Sequence, residues 1–182
     1  MFERYSENSR RAIYFARTEA LARVSAAIGT KDLLLGLTHE LYEEGCPFAE
    51  LHTRRDELRA LMNVPPIEKM PEAKDIPLDR EAKIALAYAA QEANRGRKFS
   101  VMPYDLLCGI VLGGDSTAIA LSEHGWDLET IRAKSIESRR LFPPKRPSLR
   151  RILKRYRWPI IKVVIPFALL AALIEYLRWQ QR

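Results

Sequence analysis

Histidine and cysteine side chains are the first candidates for chemistry in this sequence. His39, His52 and His124 do not have the spacing of a metal site, and no partner carboxylate is evident. Cys46 and Cys108 are too few and too far apart for a disulfide scaffold or a CxxC metal site. We therefore expect solvated or capping histidines, free thiols with Cys108 in the core, no metal and no cofactor.

The remaining polar groups also lack a catalytic context. Glu43–Glu44 and Asp56–Glu57 are adjacent carboxylates, which lie on solvated helix faces more often than in acid–base sites. Ser116 has no triad partners. Gly113–Thr117 contains glycines but has neither the lysine nor the spacing of a phosphate-binding loop. The sequence predicts no enzyme and no ATPase.

The formal net charge of the 182 residues is +7, but this charge is unevenly distributed between two parts of the chain. Residues 1–138 hold 18 Lys+Arg and 22 Asp+Glu. Residues 139–182 hold 12 Lys+Arg and a single acid, Glu175. The length suits one domain with an appendage, and 47% hydrophobic residues is a globular composition. Because the larger part is net negative, nucleic acid is an unfavourable partner.

The basic part ends in an apolar segment, residues 158–179. A helix from Pro159 to Trp179 would be about 31 Å long, enough to cross the hydrocarbon core of a bilayer. Aromatic residues at both ends suit the membrane interface, a lysine near the first end can snorkel, and a proline is tolerated. We predict a transmembrane helix whose characteristic residues are Trp158, Lys162, Pro166, Tyr176 and Trp179.

The flanking charges predict the orientation of this anchor. Nine Lys and Arg without an intervening acid lie in residues 139–157, so the positive-inside rule places the N-terminal domain in the cytoplasm of a single-pass membrane protein. Residues 142–157 form a basic linker that we expect to contact anionic lipid headgroups. The start of the chain has no apolar signal segment. Two alternatives stay open: a buried helix of a soluble protein, or a helix lying in the interface.

Residues 1–141 contain an internal duplication. Shifting the sequence by 73 residues aligns it with itself without a gap, as counted along the chain. Arg10–Ala20 then lies over Lys83–Ala93, and Asp32–Leu37 lies over Asp105–Ile110. An ungapped match of this length is typical of a duplicated structural unit.

Each repeat has the pattern of four helices. In the first helix, capped by Ser6, the apolar residues Ile13, Ala16, Ala20 and Val24 recur at three- and four-residue steps. No strand alternation is present, so the fold class is all-α. The predicted repeats are 1–62 and 78–141, with a proline-rich linker 63–77. The other predicted helices are Lys31–Glu43 capped by Thr30, Phe48–Leu51, Arg54–Met62, Arg80–Arg95 capped by Asp79, Pro103–Leu112, Ser116–His124, and Leu128–Leu141 capped by Asp127.

The segment FERYSENSRRAIYFARTEA, followed by IGTKDLLLGL, resembles the Clp repeat domain at the N-terminus of Clp-family AAA+ unfoldases. The resemblance covers about residues 1–140 and depends on the duplicated helix pair and on Ile28–Thr30 with Leu33–Leu37. It implies two four-helix repeats packed as a pseudo-twofold all-α domain. That domain recruits protein substrates or adaptors for an attached ATPase ring and has no catalytic activity. Without a phosphate-binding motif, the expectation here is a recognition domain tethered to a membrane.

The resemblance also implies a ligand, phosphoarginine, which the family holds partly through an acidic residue after the Gly-Thr of each repeat. Those positions are Lys31 and Tyr104 here, and Gly-Thr becomes Met102–Pro103 in the second repeat. We therefore predict that a retained site prefers a plain anion at a helix N-terminus. The alternative is that both loops simply start helices. The candidate loop residues are Gly29, Thr30, Lys31, Asp32, Pro103, Tyr104 and Asp105.

Two functions follow as hypotheses. The first is a non-catalytic, membrane-tethered module that binds a protein partner: a Clp-type substrate, an adaptor or a protease component. The second is a structural accessory subunit of an integral-membrane complex, which keeps the Clp-like fold without a recruiting role. The altered positions at Lys31 and Tyr104 favour the second, and the sequence names no partner.

Overall fold

Eight α-helices make up the part of the chain that the computed structural model describes, residues 2–41, 46–67 and 74–141. Within these residues there is no strand, only two isolated bridges, so the all-α prediction is confirmed there. The predicted basic linker and transmembrane helix lie outside the described residues. The helices are α1 (Glu7–Ala22), α2 (Thr30–Glu40), α3 (Ala49–Thr53), α4 (Arg55–Leu61), α5 (Arg80–Arg95), α6 (Pro103–Gly113), α7 (Ser116–Glu123) and α8 (Leu128–Leu141).

Three of the predicted helix caps are confirmed. Each is a short polar side chain whose oxygen accepts a hydrogen bond from the backbone N–H three residues later, which satisfies one of the free donors of the first turn. These bonds join Ser9 N to Ser6 Oγ at 3.1 Å, Ala82 N to Asp79 Oδ1 at 2.7 Å, and Thr130 N to Asp127 Oδ1 at 2.7 Å.

The predicted cap of α2 is wrong. Thr30 is the first residue of the helix, and Gly29 is the capping residue. Gly29 has no side chain, so the carboxylate of Asp32 folds back and its Oδ2 accepts the Gly29 N–H at 2.9 Å. This leaves the Thr30 hydroxyl available for a contact with the other repeat. The helix also ends at Glu40, before the predicted Glu43.

The predicted buried stripe of α1 is wrong at its last position. Ala16 and Ala20 are fully buried, but Val24 is 91% exposed. The helix ends at Ala22, and the Ser25 N–H bonds back to Ala20 O at 2.9 Å, so the chain turns away before Val24 can reach the core. The periodicity is correct for the helix, but it continues past the helix end in the sequence.

Two helical hairpins, α1 with α2 and α5 with α6, form the centre of the fold and meet mainly through α2 and α6. Leu34 and Leu35 of α2 and Leu107 of α6 are completely buried there.

In the described part of the chain, no single helix is long and apolar enough to cross a membrane. The pair α6 and α7 meets those criteria jointly, with a bend of 108° between the two helices.

Two bridges join the repeats in a pseudo-symmetric way. Tyr5 pairs with Val101, and Ile28 pairs with Leu78. The 73-residue shift interchanges the two pairs, because it places Tyr5 on Leu78 and Ile28 on Val101. The segment before α1 therefore lies beside the segment before α6, and the segment before α2 lies beside the segment before α5. As a result Gly29, which follows Ile28, is brought next to Asp79.

A buried carboxylate ties α1 to α4. The Glu19 side chain is 1% exposed, and its Oε1 accepts from Arg59 Nη2 at 2.5 Å and from Arg55 Nη2 at 2.6 Å. In the second repeat, Glu92 accepts from Arg132 Nη2 at 2.5 Å. Burial raises the pKa of Glu19, but hydrogen bonds and charge from His39, Arg59 and Arg55 outweigh it and hold the pKa below its ordinary value.

This cluster predicts loss of stability in acid. A carboxyl whose folded pKa is lowered contributes stability above its unfolded pKa, and that contribution is lost as the pH falls through the folded pKa. For Glu19 the loss begins below the ordinary value of 4.5. We expect Glu19→Gln to lower the free energy of unfolding by about 2 kcal/mol near neutral pH and to flatten its decrease below pH 4.5.

Urea unfolding of the full-length chain, followed by helical circular dichroism from neutral pH into acid, measures both effects. Glu129→Gln on the exposed face of α8 makes the same chemical change without a buried partner and serves as the control. Parallel pH profiles for wild type and Glu19→Gln would contradict this assignment of the acid sensitivity.

Candidate functional site

A cleft of about 300 Å³ lies where the two repeats meet at the start of α2. This volume is at the lower end of the range for ligand sites. The α1–α2 loop, the start of α2, the start of α5 and the start of α7 all contribute to its walls, and we call it the inter-repeat cleft. Its lining residues are Arg23, Ser25, Ala27, Gly29, Thr30, Lys31, Asp32, Asp79, Glu81, Asp115 and Ser116.

Residues at three helix N-termini line this cleft, and a carboxylate of the chain caps each of these helices. Asp32 accepts the Gly29 N–H at 2.9 Å, Asp79 accepts the Ala82 N–H at 2.7 Å, and Asp115 accepts the Ala118 N–H at 3.0 Å. A helix N-terminus attracts anions through its free N–H groups and its dipole. Here the chain supplies those negative charges itself.

Gly29 and Asp79 make a close contact across the repeats at the floor of the cleft. A Cβ added to Gly29 would lie 3.0 Å from Asp79 Oδ2. A side chain at this position would therefore press against the carboxylate that caps α5. The bridge between Ile28 and Leu78 holds the two segments at this distance, so a larger residue at position 29 would require the Asp79 carboxylate to move by a few tenths of an ångström.

Thr30 connects α2 of the first repeat to α7 of the second. Its Oγ1 donates to Asp115 Oδ2 and lies 3.0 Å from Thr117 Oγ1. Thr30 and Thr117 are both buried, so these hydrogen bonds hold the wall of the cleft in a fixed position. The sequence predicted Thr30 to be a cap; the structure places it in an inter-repeat contact.

The two cations of the lining are engaged with other groups. Arg23 Nη2 pairs with Asp32 Oδ1, and Lys31 Nζ donates to the carbonyl oxygen of Met62 at 3.0 Å. Burial raises the pKa of Asp32, and the bonds from Gly29 and Arg23 oppose that increase. Among the residues that the structure describes, the lining holds four carboxylates and two cations, so it is net negative.

This charge has a consequence for the predicted ligand. A plain anion would meet carboxylates at each helix start, whereas an ammonium or guanidinium group would be attracted. The predicted preference for an anion is untested, but the lining has the charge opposite to what that preference requires.

The second candidate loop is closed. Pro103, Tyr104 and Asp105 are all buried at the start of α6. Tyr104 packs beside Phe48 with ring centroids 6.2 Å apart, and the Lys98 Nζ lies 4.5 Å from its ring. The Asp105 carboxylate accepts the Met102 N–H at 2.9 Å and pairs with Lys98. The tyrosine at the family's acidic position is therefore a packing residue.

The histidines and cysteines are held in structural contacts. His52 Nδ1 lies 2.8 Å from Thr38 O, and His39 stacks on Phe15 with ring centroids 4.4 Å apart. Cys108 is buried, and burial raises the pKa of its thiol to about 12, which does not suit a nucleophile. Within the described residues, no group of three His, Cys, Asp or Glu side chains could hold a metal ion.

Sequence reasoning missed four charged residues of the lining. Asp79 was predicted only as a helix cap, Asp115 was considered only within the glycine-containing segment Gly113–Thr117, and Arg23 and Glu81 had no predicted role. The 73-residue shift could have indicated that the two bridging segments are equivalent, because it places Tyr5 on Leu78 and Ile28 on Val101. It did not show that those segments cross from one repeat to the other, which is what brings Asp79 to Gly29.

No protein-family model matches the sequence, and no curated protein matches it at a significant level. Among solved structures, the chain is similar to the N-terminal domain of ClpD, a caseinolytic protease associated chaperone of Arabidopsis thaliana. The two are 22% identical with a TM-score of 0.59, over 75% of this chain and 95% of that one. A chain from structural investigations of a malarial protein secretion system is 17% identical with a TM-score of 0.54, over 78% and 99% of the two chains.

The N-terminal domain of Hsp104 from Candida albicans is also similar, at 17% identity and a TM-score of 0.50, over 75% of this chain and 92% of that one. At these identities the likeness establishes the fold, and it does so over nearly the whole length of each neighbour. The resemblance drawn from the sequence is confirmed at that level: the described chain has the fold of the N-terminal domains of Clp and Hsp104 chaperones.

Proposed function

We propose that this chain is a non-catalytic module, tethered to a membrane, that binds protein partners by taking a basic side chain into the inter-repeat cleft. The fold supports a non-catalytic protein-binding module, since the chain is similar to the N-terminal domain of ClpD over 75% of its length. The observation that carries the second part is the cleft itself, an opening of about 300 Å³ with a net negative lining.

The geometry suits a lysine or arginine side chain better than an anion. Asp79 uses Oδ1 to cap α5 and places Oδ2 over Gly29, while the Glu81 side chain is exposed at the rim. A guanidinium group entering between them would gain charge-assisted hydrogen bonds. An entering phosphate would be repelled by the same carboxylates, so its binding would cost free energy.

Peptide binding to the full-length chain tests this proposal. A labelled peptide with one arginine among glycines and serines should bind, and its citrulline counterpart should bind at least about tenfold more weakly, since citrulline is neutral and nearly isosteric. Asp79→Asn, which retains a capping side chain, and Glu81→Gln should each weaken arginine binding about three- to tenfold. Glu129→Gln, outside the cleft, should leave it unchanged.

The opposite charge preference would contradict the proposal. Inorganic phosphate binding more tightly than the arginine peptide would show that the cleft takes a plain anion, as the loop sequence predicted. Tighter binding of a phosphoarginine peptide would show that the ligand implied by the resemblance is retained, against both readings. Equal affinities for the arginine and citrulline peptides would show that charge in the cleft has no role.

The tether is proposed from the sequence of residues 142–179. We expect a chain truncated near Phe142 to be soluble and helical, and the full-length chain to require detergent, because the apolar segment 158–179 lies outside the repeat pair. Fractionation of expressing cells, followed by size-exclusion chromatography with and without detergent, measures this. Full-length protein that is soluble and monomeric without detergent would contradict the tether.

The structural accessory subunit remains the second candidate, favoured by the closed second loop at Pro103, Tyr104 and Asp105. A domain that has lost one of two related loops has a smaller recruiting surface. Co-purification from solubilised membranes separates the two functions. Recovery of an unfoldase or peptidase supports recruitment, and stoichiometric recovery with an integral-membrane complex supports the structural role.

A further inference from the structure

The turn that ends α1 contains a valine in a left-handed conformation. Val24 has φ +56°, and it follows a helix end in which the Ser25 N–H bonds to Ala20 O and the Val24 N–H bonds to Leu21 O, both at 2.9 Å. This pattern of a helix C-terminus favours glycine at the left-handed position. A β-branched side chain there is an outlier, because its Cβ crowds the following carbonyl.

Among the described residues, no packing contact offsets this conformation. Val24 is 91% exposed, so its side chain has no packing within the domain. In the described chain, the other residues with positive φ are Asn63, Arg97, Gly114 and Gly125, and Val24 is the β-branched one among them. Arg97 is its counterpart under the 73-residue shift, so the turn is common to both repeats and the valine is not.

The position of Val24 relates it to the site. Its two neighbours in the chain, Arg23 and Ser25, both line the inter-repeat cleft, so this exposed apolar residue belongs to the turn that forms part of the cleft wall. Residues in such conformations cluster at active sites, ligand clamps and switch regions.

We propose that Val24 is an apolar contact for the bound partner. The partner it fits is an extended protein segment in which an aliphatic residue directly flanks the basic residue held in the cleft. This inference rests on the proposed function, since Val24 is useful in this way only if a basic side chain occupies the cleft.

Two peptides and a set of variants of the full-length chain test the inference. One peptide places leucine beside its arginine, and the other places glycine there. Val24→Gly should weaken the leucine peptide about fivefold and leave the glycine peptide unchanged, because only the leucine can bury surface on Val24. The same substitution should raise the urea midpoint, because it removes the unfavourable conformation.

Conservative changes and the second repeat supply the controls. Val24→Ile keeps an aliphatic side chain and should bind the leucine peptide like wild type, whereas the nearly isosteric Val24→Thr should weaken it. Arg97→Gly makes the corresponding turn change in the second repeat and should not alter binding of either peptide.

The outcomes separate this inference from the proposed function. If Asp79→Asn weakens both peptides and Val24→Gly weakens neither, the cleft binds basic residues and the role of Val24 is wrong. If neither arginine peptide binds wild type, the proposed function and this inference both fail. A fivefold loss confined to the leucine peptide, in a variant that is more stable than wild type, supports both.

Discussion

Replacing Gly36 by alanine should lower the free energy of unfolding by about 3 kcal/mol, although alanine is the better helix former by about 1 kcal/mol. A Cβ at Gly36 would lie 2.2 Å from Ala12 O and 2.6 Å from Ala16 N. Both atoms belong to the α1 backbone, so no side chain can rotate away and the whole helix must shift. Urea unfolding of the full-length chain, followed by circular dichroism, measures the loss.

The second repeat provides a replicate and a control. Gly109→Ala should have a similar cost, because its Cβ would lie 2.1 Å from Ala85 O and 2.8 Å from Ala89 N. Gly113→Ala, at the end of α6, has no heavy atom within 4 Å of its Cβ and should be neutral or slightly stabilising. If Gly36→Ala were as stable as wild type, α1 and α2 could not pack as closely as they do here.

Much of this packing was accessible from the sequence because it is repeated. The 73-residue shift places Gly36 on Gly109 and both alanine contacts of one on those of the other. It also aligned Leu58 with Ile131, and both are buried. Local signals predicted the helix starts at Ser6 and Asp79, because a cap depends on a side chain and a backbone group only three residues apart.

Other features could not be predicted because they depend on distant segments. Thr30 has the residue type of a cap, but its hydroxyl is used by Asp115, 85 residues away, while Asp32 caps in its place. Similarly, Tyr104 occupies a position that suggested a ligand contact, and the structure buries it beside Phe48. In both cases a tertiary contact overrides the local pattern.

The candidate site shows the same limit more strongly. Its loop residues, Gly29 to Asp32, followed from the resemblance, but its charge did not. The negative lining comes largely from Asp79, Glu81 and Asp115, which are 47 to 86 residues away from the loop in sequence and reach it only because the bridging segments cross. The preference for an anion was predicted from the loop and Lys31 alone, without the three carboxylates that the fold places around the loop, and it stays a prediction.

A substitution at Phe48 should have the largest effect on stability, a loss of about 4 kcal/mol for Phe48→Ala. Phe48 is completely buried just before α3, yet its ring stacks against the second repeat: its centroid lies 6.2 Å from that of Tyr104 and 6.0 Å from that of Trp126. Truncation removes both aromatic contacts and leaves a cavity at the junction of the repeats. Phe48→Leu refills part of that space and should cost less than half as much.

Phe99→Ala is the matched control, since Phe99 is 68% exposed and the same truncation should change stability by less than about 0.5 kcal/mol. Equilibrium unfolding in urea at one temperature ranks the four proteins: wild type, Phe48→Leu, Phe48→Ala and Phe99→Ala. Because Phe48 joins the two repeats, its loss should lower the midpoint of one cooperative transition rather than release the first repeat alone. Two separate transitions in Phe48→Ala would show that the repeats are stable independently and that this ring does not couple them.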